Sequence, residues 1–362
     1  MGRPAYVAVD TEFMSEKTYD PQLCLIQLAH GNHVGLIDTL SGLDLNPLLE
    51  FLADPQVTKV FHASDQDLAI LWNQLKIMPQ PLFDTQIAAM VCGFGDQVSY
   101  ASLVSTFTNQ RPDKSAQLID WSKRPLFEKH LDYARKDVTQ LCLIYEALVT
   151  QIEDRDRGDW IAQEMADLAD ASRYEFDADK QMRRIKFRNP SPRNLAILKE
   201  LVLWREGLAK SRNQPRQWVM KDTSLRDMAS NPPASIKELA RIRGIGGIAQ
   251  GATARDILAC VERGRQIPKA DCPAVLTPER EDALDEGLLN LLRTLLQKVS
   301  NDYDVSPKLL ATSSDLSRLA RGKACRLQEG WRYELFGRQA QELLQGKLGL
   351  TIAEGVVSIV KM

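Results

Sequence analysis

The chain opens on an apolar run that turns acidic. "YVAVDTEF", residues 6–13, begins as a buried strand with Val7, Ala8 and Val9, then places Asp10 and Glu12 where more core is expected. Residues two apart on a strand share a face, so the two carboxylates should project side by side. Burying such a pair without a compensating cation would cost several kcal/mol, so something positive is missing from the sequence. "LCLIQLAH" and "HVGLID" are further β-rich runs, joined by a Gly31-Asn32 turn of hairpin type. "LNPLLEFLA" predicts a short helix and "VTKVFHA" a strand. "SDQDLAILWNQL" predicts a helix with Ser64 or Asp65 as N-cap. "LFDTQIAAMVCG" leads into more helical pieces, and from Phe127 "FEKHLDYARKDVTQLCLIYEALVTQI" is a long amphipathic helix. The pattern predicts an α/β region, a mixed sheet flanked by helices, over residues 1–176.

Beyond Arg173 the pattern changes. "EFDADKQMRRIKFRNPSPRN" carries the charge and Pro-Ser-Pro punctuation of a linker, and "NLAILKELVLWREGLAKSRNQP" is strongly helical. A second break, "QIPKADCPAVLTPER", precedes "LLNLLRTLLQKVSNDY" and "RYELFGRQAQELLQ", and no strand pattern of any strength returns until the last residues. Each helical stretch starts with a long Leu-rich helix, which suggests a diverged duplication. Three segments follow: 1–176, 177–270 and 271–362.

The net charge of −2 conceals an asymmetry between these segments. Residues 1–176 hold 14 Lys+Arg against 26 Asp+Glu, residues 177–270 hold 20 against 9, and residues 271–362 hold 12 against 13. The basic middle segment suggests a polyanionic partner; charge pairing with the acidic segment is the simpler alternative. The 6 cysteines are scattered without a CxxC pair, which points to reduced, mostly buried thiols and against a structural zinc. With no long apolar run and no signal-like N-terminus, no membrane association is expected and a cytoplasmic location is.

Two further acids stand out. Asp67 in "FHASDQDL" lies early in a helix, where an acid can simply answer the helix dipole, although Asp65 would suffice for that. Asp137 in "YARKD" lies one helical turn after Tyr133, a spacing that a solvated or packed pair also explains. Taken in order, "VDTEF", "FHASDQDL" and "YARKD" resemble the DEDD exonuclease superfamily in its tyrosine subclass and, within it, the ribonuclease D family. In the sister subclass a histidine would stand where this chain has Asp132. "PQLCLIQLA", "LFDTQIAAM" and "DWSKRPL" extend the likeness. Residues of about 190–268, with "LARIRGIGG", resemble the HRDC domain, and about 277–347 a second, more divergent one.

The resemblance implies an RNase H-like mixed sheet followed by two small all-α HRDC-type domains. It implies a 3′→5′ exoribonuclease that trims structured RNAs, notably tRNA precursors, by two-metal-ion hydrolysis and releases nucleoside 5′-monophosphates. It also implies two divalent ions, Mg²⁺ or else Mn²⁺, held by Asp10, Glu12, Asp67 and Asp137. Asp10 would bridge both ions, Glu12 and Asp137 would complete the nucleophile side, Asp67 would hold the second ion partly through water, and Tyr133 would orient the attacking water. Two ions ~4 Å apart would supply the missing positive charge. Thr11 and Phe13, interleaved with the acids, are candidate contacts to the terminal nucleotide, though a packed Phe13 explains the pattern equally well. Arg183, Arg184, Lys186 and Arg188 are candidates for RNA phosphates. His62 reads as a satisfied structural histidine, and Gln27 and Gln86 as open candidates. The Gly-rich "RIRGIGGIAQG" reads either as a phosphate loop or as a turn between helices. RNA 3′ ends are the implied partner, and no protein partner is inferred. A Werner-type DNA exonuclease and a noncatalytic RNA-binding protein on a nuclease scaffold are the alternatives.

Overall fold

In the computed structural model, which describes residues 4–110, 119–246, 250–275 and 284–362, the opening run becomes the middle strand of a sheet. The strands are β1 (Tyr6–Met14), β2 (Gln22–His30), β3 (His33–Asp38), β4 (Thr58–Phe61) and β5 (Leu82–Asp84), in the order β3-β2-β1-β4-β5. β2 and β3 form the expected antiparallel hairpin, closed at His30↔His33, with Gly31 in the left-handed turn conformation. β4 runs parallel to β1, with Ala8 opposite Val60, and β5 runs parallel to β4. Parallel neighbours require crossovers, and the helical patterns supply them. These are α1 (Asn46–Ala53) before β4 and α2 (Asp65–Ile70), continued by a wider π turn to Leu75, before β5. The helices α3 (Thr85–Val91), α4 (Tyr100–Thr108), α5 (Glu128–Asp154) and α6 (Gly158–Leu168) follow. The buried stripe of α5, Val138, Leu141, Ile144 and Leu148, packs over β3 and β4.

Arg157 and α6 join this body to the last helices of the chain, α13 (Glu286–Tyr303), α14 (Pro307–Leu310), α15 (Ser313–Ala320), α16 (Gly330–Arg332) and, after a π turn, α17 (Arg338–Leu344). Residues 24–173 and 281–362, together with the first twelve, form one compact unit. The buried Arg157 donates to the carbonyls of Val91, Tyr303 and Asp304, and its guanidinium lies 4.8 Å from the Trp160 ring centroid. Trp160 in turn stacks on Trp331, with centroids 4.6 Å apart and planes 12° from parallel. Arg332 Nη1 lies 2.7 Å from Glu164 Oε1, with both side chains almost wholly buried. The last segment, expected as all-α, ends in an antiparallel hairpin of β6 (Leu348–Ala353) and β7 (Val356–Lys361). Its β-branched alternation outweighs helix propensity, and Glu354 and Gly355 both take the left-handed conformation that a tight hairpin turn demands.

The second unit comprises residues 13–23 and 174–280. Its helices are α7 (Ala178–Arg184), α8 (Pro192–Arg212), α9 (Arg216–Val219), α10 (Asp222–Ser230), α11 (Ile236–Leu239) and α12 (Gly251–Gln266). Ser191 and Asn194 form a reciprocal capping box on α8, and Asn213 ends it in the left-handed conformation. α12 packs closely along α8, and a Cβ at Gly264 would fall 2.6 Å from Ile197 Cα, so only glycine permits the approach. The order of a long helix, a single turn and a medium helix in α8, α9 and α10 recurs in α13, α14 and α15. The expected Gly-rich loop falls partly on residues 247–249, and part of the second break on 276–283, both outside the described residues. All 6 cysteines are free and 4 of them are buried, as their apolar surroundings suggest. Among the described residues no helix is long and apolar enough to cross a membrane.

Candidate active site

β1 presents Asp10 and Glu12 on one face, and α5 brings Asp137 to meet them. One carboxylate oxygen from each residue lies within 4.8 Å of the others, and all three side chains are half-buried. Asp67 stands outside this closest trio, in the first turn of α2, and its carboxylate accepts a hydrogen bond from Thr11 Oγ1. Thr11 therefore faces away from Asp10 and Glu12 as strand alternation requires. The expectation that it touches the terminal nucleotide meets a different environment, because the residue is 6% exposed and its hydroxyl is committed to Asp67. Phe13, the other interleaved candidate, is half-buried and belongs to the second unit.

The turn that delivers Asp67 is organised by a residue the sequence reading did not single out. Ala63 takes a φ of 53°, and the buried Asp84 carboxylate accepts from the N–H groups of Ala63 (3.2 Å) and Ser64 (2.7 Å). It also accepts from the Ser64 hydroxyl (2.8 Å) and, as N-cap of α3, from the N–H groups of Gln86 and Ile87. One carboxylate thus fixes both the β4–α2 turn and the start of α3. Of the two expected residues it is Ser64 that occupies the N-cap position of α2, but it makes no side-chain capping bond, its hydroxyl having turned to Asp84. Asp65 is exposed and pairs with Arg173 at 3.5 Å. The only hint in sequence was an Asp-Thr pair at a strand-to-helix boundary.

Tyr133 lies one turn before Asp137 on α5 and hydrogen-bonds its carboxylate; burial first, then the charges of Asp137 and Glu12, push the phenol far above its usual range. A second tyrosine, Tyr100 of α4, donates to the backbone carbonyl of Asp137 and meets the His62 ring at a tilt of 59°, with centroids 5.4 Å apart. No pattern in the sequence marked Tyr100. His62 Nδ1 lies 2.9 Å from Thr85 Oγ1, and burial lowers its pKa, in keeping with a satisfied structural residue. Gln86 donates to the Val98 carbonyl, whereas Gln27 is fully buried with neither amide atom hydrogen-bonded. Arg183 and Arg184 occupy the last turn of α7, exposed. Lys186 and Arg188, also exposed, line a cavity of about 630 Å³ together with Phe187 and Arg226.

The carboxylates burden one another. Burial raises Asp10 to about 6. Burial, followed by the charges of Asp10, Asp137 and Asp67, raises Glu12 to about 9, and burial with the Asp10 charge raises Asp67 to about 8. A donor set made only of carboxylate oxygens suits hard divalent cations, which would relieve the repulsion. The linkage follows in sign. These acids bind protons more tightly folded than unfolded, so their stabilising contribution is complete below about pH 4 and is lost as pH rises through 6, 8 and 9. In chelator the melting temperature should therefore fall across this window, and saturating Mg²⁺ should largely abolish the fall. Parallel melting curves with and without Mg²⁺ would show that these groups bind no cation.

Residues 2–153 match the 3′-5′ exonuclease family model and residues 194–261 the HRDC domain model. The chain is 43% identical to ribonuclease D of Granulibacter bethesdensis, over 97% of this chain and 90% of that protein. It is 40% identical to ribonuclease D of Nitrobacter hamburgensis, over 97% and 93%. The crystal structure of Escherichia coli RNase D, described as an exoribonuclease involved in structured RNA processing, superposes with a TM-score of 0.80 at 31% identity, covering 95% of this chain and 94% of that one.

Proposed function

The chain belongs to the ribonuclease D family of 3′→5′ exoribonucleases, and on that premise we propose that it trims the 3′ ends of structured RNAs, tRNA precursors among them, at the cluster of Asp10, Glu12, Asp67 and Asp137. The observation that carries this reading is the meeting of three carboxylates from β1 and α5 within 4.8 Å, with Tyr133 bonded to one of them. These oxygens fit two divalent ions, Mg²⁺ or Mn²⁺, which when bound lower the pKa of water and stabilise charge on the scissile phosphate and the departing 3′-oxygen.

The remaining roles fall to side chains. Asp10 and Glu12, fixed by a strand with a buried apolar half, set one wall of the site, and Asp137 on the rigid α5 sets the other. Thr11 holds Asp67 in orientation. A phenol of ordinary pKa, about 10, is already protonated at neutral pH and burial pushes this one further up, so Tyr133 can orient the attacking water by donating or accepting a hydrogen bond but cannot act as a free base. Lys186, Arg188 and Arg183 offer sequence-independent phosphate contacts.

The test is incubation with Mg²⁺ of a 3′-extended tRNA and a matched DNA strand, comparing wild type with Tyr133→Phe. RNA should shorten stepwise with release of nucleoside 5′-monophosphates, and Tyr133→Phe should retain measurable cleavage, slower by about 10²-fold. Shortening of DNA but not RNA would overturn the substrate, and shortening of neither would leave a binding scaffold.

A further inference from the structure

The segment that follows the acidic strand, residues 13–23, is built into the second unit, and with its helices it walls a cavity of about 340 Å³. Tyr19 anchors the segment. Its N–H donates to Asn213 Oδ1 at 3.1 Å, its hydroxyl donates to Glu206, and Arg216 packs 4.6 Å over its ring. Arg216 is held against Glu206 by two hydrogen bonds, from Nε at 2.5 Å and Nη2 at 3.0 Å. Arg205, 4% exposed, donates from Nη1 to the Met220 carbonyl at 3.0 Å and to Asp222 Oδ1 at 2.6 Å. Arg184, by contrast, lines the same cavity without a hydrogen bond or ion pair among the described residues, and the Thr18 hydroxyl is buried there without a partner.

Charge and donors together describe the ligand. Four cations, Arg184, Arg205, Arg216 and Lys210, which lies 3.7 Å from Glu206, stand against three carboxylates, Asp222 in the lining, Glu206 behind Arg216 and Asp20 beside Tyr19, which leaves a single positive charge. A singly charged anion balances it, whereas a terminal phosphate or the nucleoside monophosphate product, close to doubly charged, does not. The volume lies within the range of small-ligand pockets, and planar guanidinium forks suit phosphate oxygens. We infer that this cavity is a binding site for one internal phosphodiester of the RNA strand, with Arg184 and Thr18 as the groups that await it. The inference rests on the RNA reading above and adds a second contact to the strand, on a segment that begins one residue after Glu12.

The test uses the full chain in chelator, so that no cleavage is needed, and a 5′-labelled oligoribonucleotide read by fluorescence anisotropy. Arg184→Gln should weaken binding about tenfold and lower the slope of log K against log salt by about one. Thr18→Val should weaken it a few-fold, with recovery in Thr18→Ser. The control is Arg255→Gln, an exposed arginine on α12 outside this cavity, which should bind as wild type. Inorganic phosphate and a nucleoside 5′-monophosphate should compete poorly at matched ionic strength. If Arg184→Gln and Thr18→Val bind like Arg255→Gln, the site is refuted while the RNA reading stands. If the free phosphates displace the oligonucleotide from wild type but not from Arg184→Gln, the site is a general anion pocket and the phosphodiester assignment falls. If wild type binds no oligoribonucleotide, the RNA reading fails and takes this inference with it.

Discussion

Asp10→Asn should lower RNA cleavage by at least about 10³-fold while making the metal-free protein more stable. Both effects come from one charge. Asp10 stands where the Glu12 and Asp137 carboxylates converge, and its charge also acts on Asp67, so it is the acid placed to share a cation with all the others. Losing it removes a ligand and a counter-charge from the centre of the site. The same charge raises the pKa of Glu12 and Asp67 in the absence of metal, so asparagine relieves repulsion that the folded chain otherwise has to bear. A single-turnover assay in Mg²⁺ and a melting curve in chelator at about pH 8 measure the two sides. Near-normal cleavage would displace Asp10 from the centre of the mechanism, and an unchanged or lowered melting temperature in chelator would show that the carboxylates do not repel as described.

The second large effect lies far from the acids. Arg332→Met should destabilise the protein by about 3 kcal/mol, because Glu164 would be left charged and unpaired at a site where its side chain is only 11% exposed. The 2.7 Å contact is an ion pair that lacks hydrogen-bond alignment, and Arg332 Nη2 has no hydrogen-bond partner among the described residues, so the lower part of the usual range applies. The double variant Glu164→Leu with Arg332→Met should recover most of the loss, since removing both charges leaves only the Leu309 carbonyl, to which Arg332 Nε donates at 2.9 Å, without that donor. Denaturant unfolding of the three variants measures this, and a double variant no better than Arg332→Met would assign the loss to packing instead. The same contacts bear on truncation. Removing residues 284–362 would strip Trp331 from Trp160 and the Tyr303 and Asp304 carbonyls from Arg157, so a shortened chain loses support for α6.

Alternation made part of the site legible. Asp10 and Glu12 fall two apart in a strand with an apolar start, so their shared face followed from local geometry alone. Asp67 and Asp137 were different: each had an adequate local explanation, the helix dipole for one and a helical pair for the other, and only their order along the chain tied them to the first motif. Thr11 shows the limit of such reasoning. The alternation gave its facing correctly, but what occupies that face is the Asp67 carboxylate, brought there by a crossover of more than fifty residues that no local pattern encodes. Asp84 was hidden for a similar reason, since an N-cap looks alike whether it serves one helix or a helix and a distant turn. Trp160 and Trp331 advertised burial but not each other.

The recurring order of helices has a consequence for how freely each half can vary. The segment that holds α8 to α10 carries a surplus of 20 basic to 9 acidic residues across 177–270. In α13 to α15 the same helix order is mortared to α3 and to the connection between α5 and α6 through Arg155, Arg157, Asp304 and Ser306, and the 12 basic and 13 acidic residues across 271–362 nearly cancel. Surface charge can therefore change in the first set at little cost to the fold, while the second behaves as masonry, where each change must also fit the wall behind it.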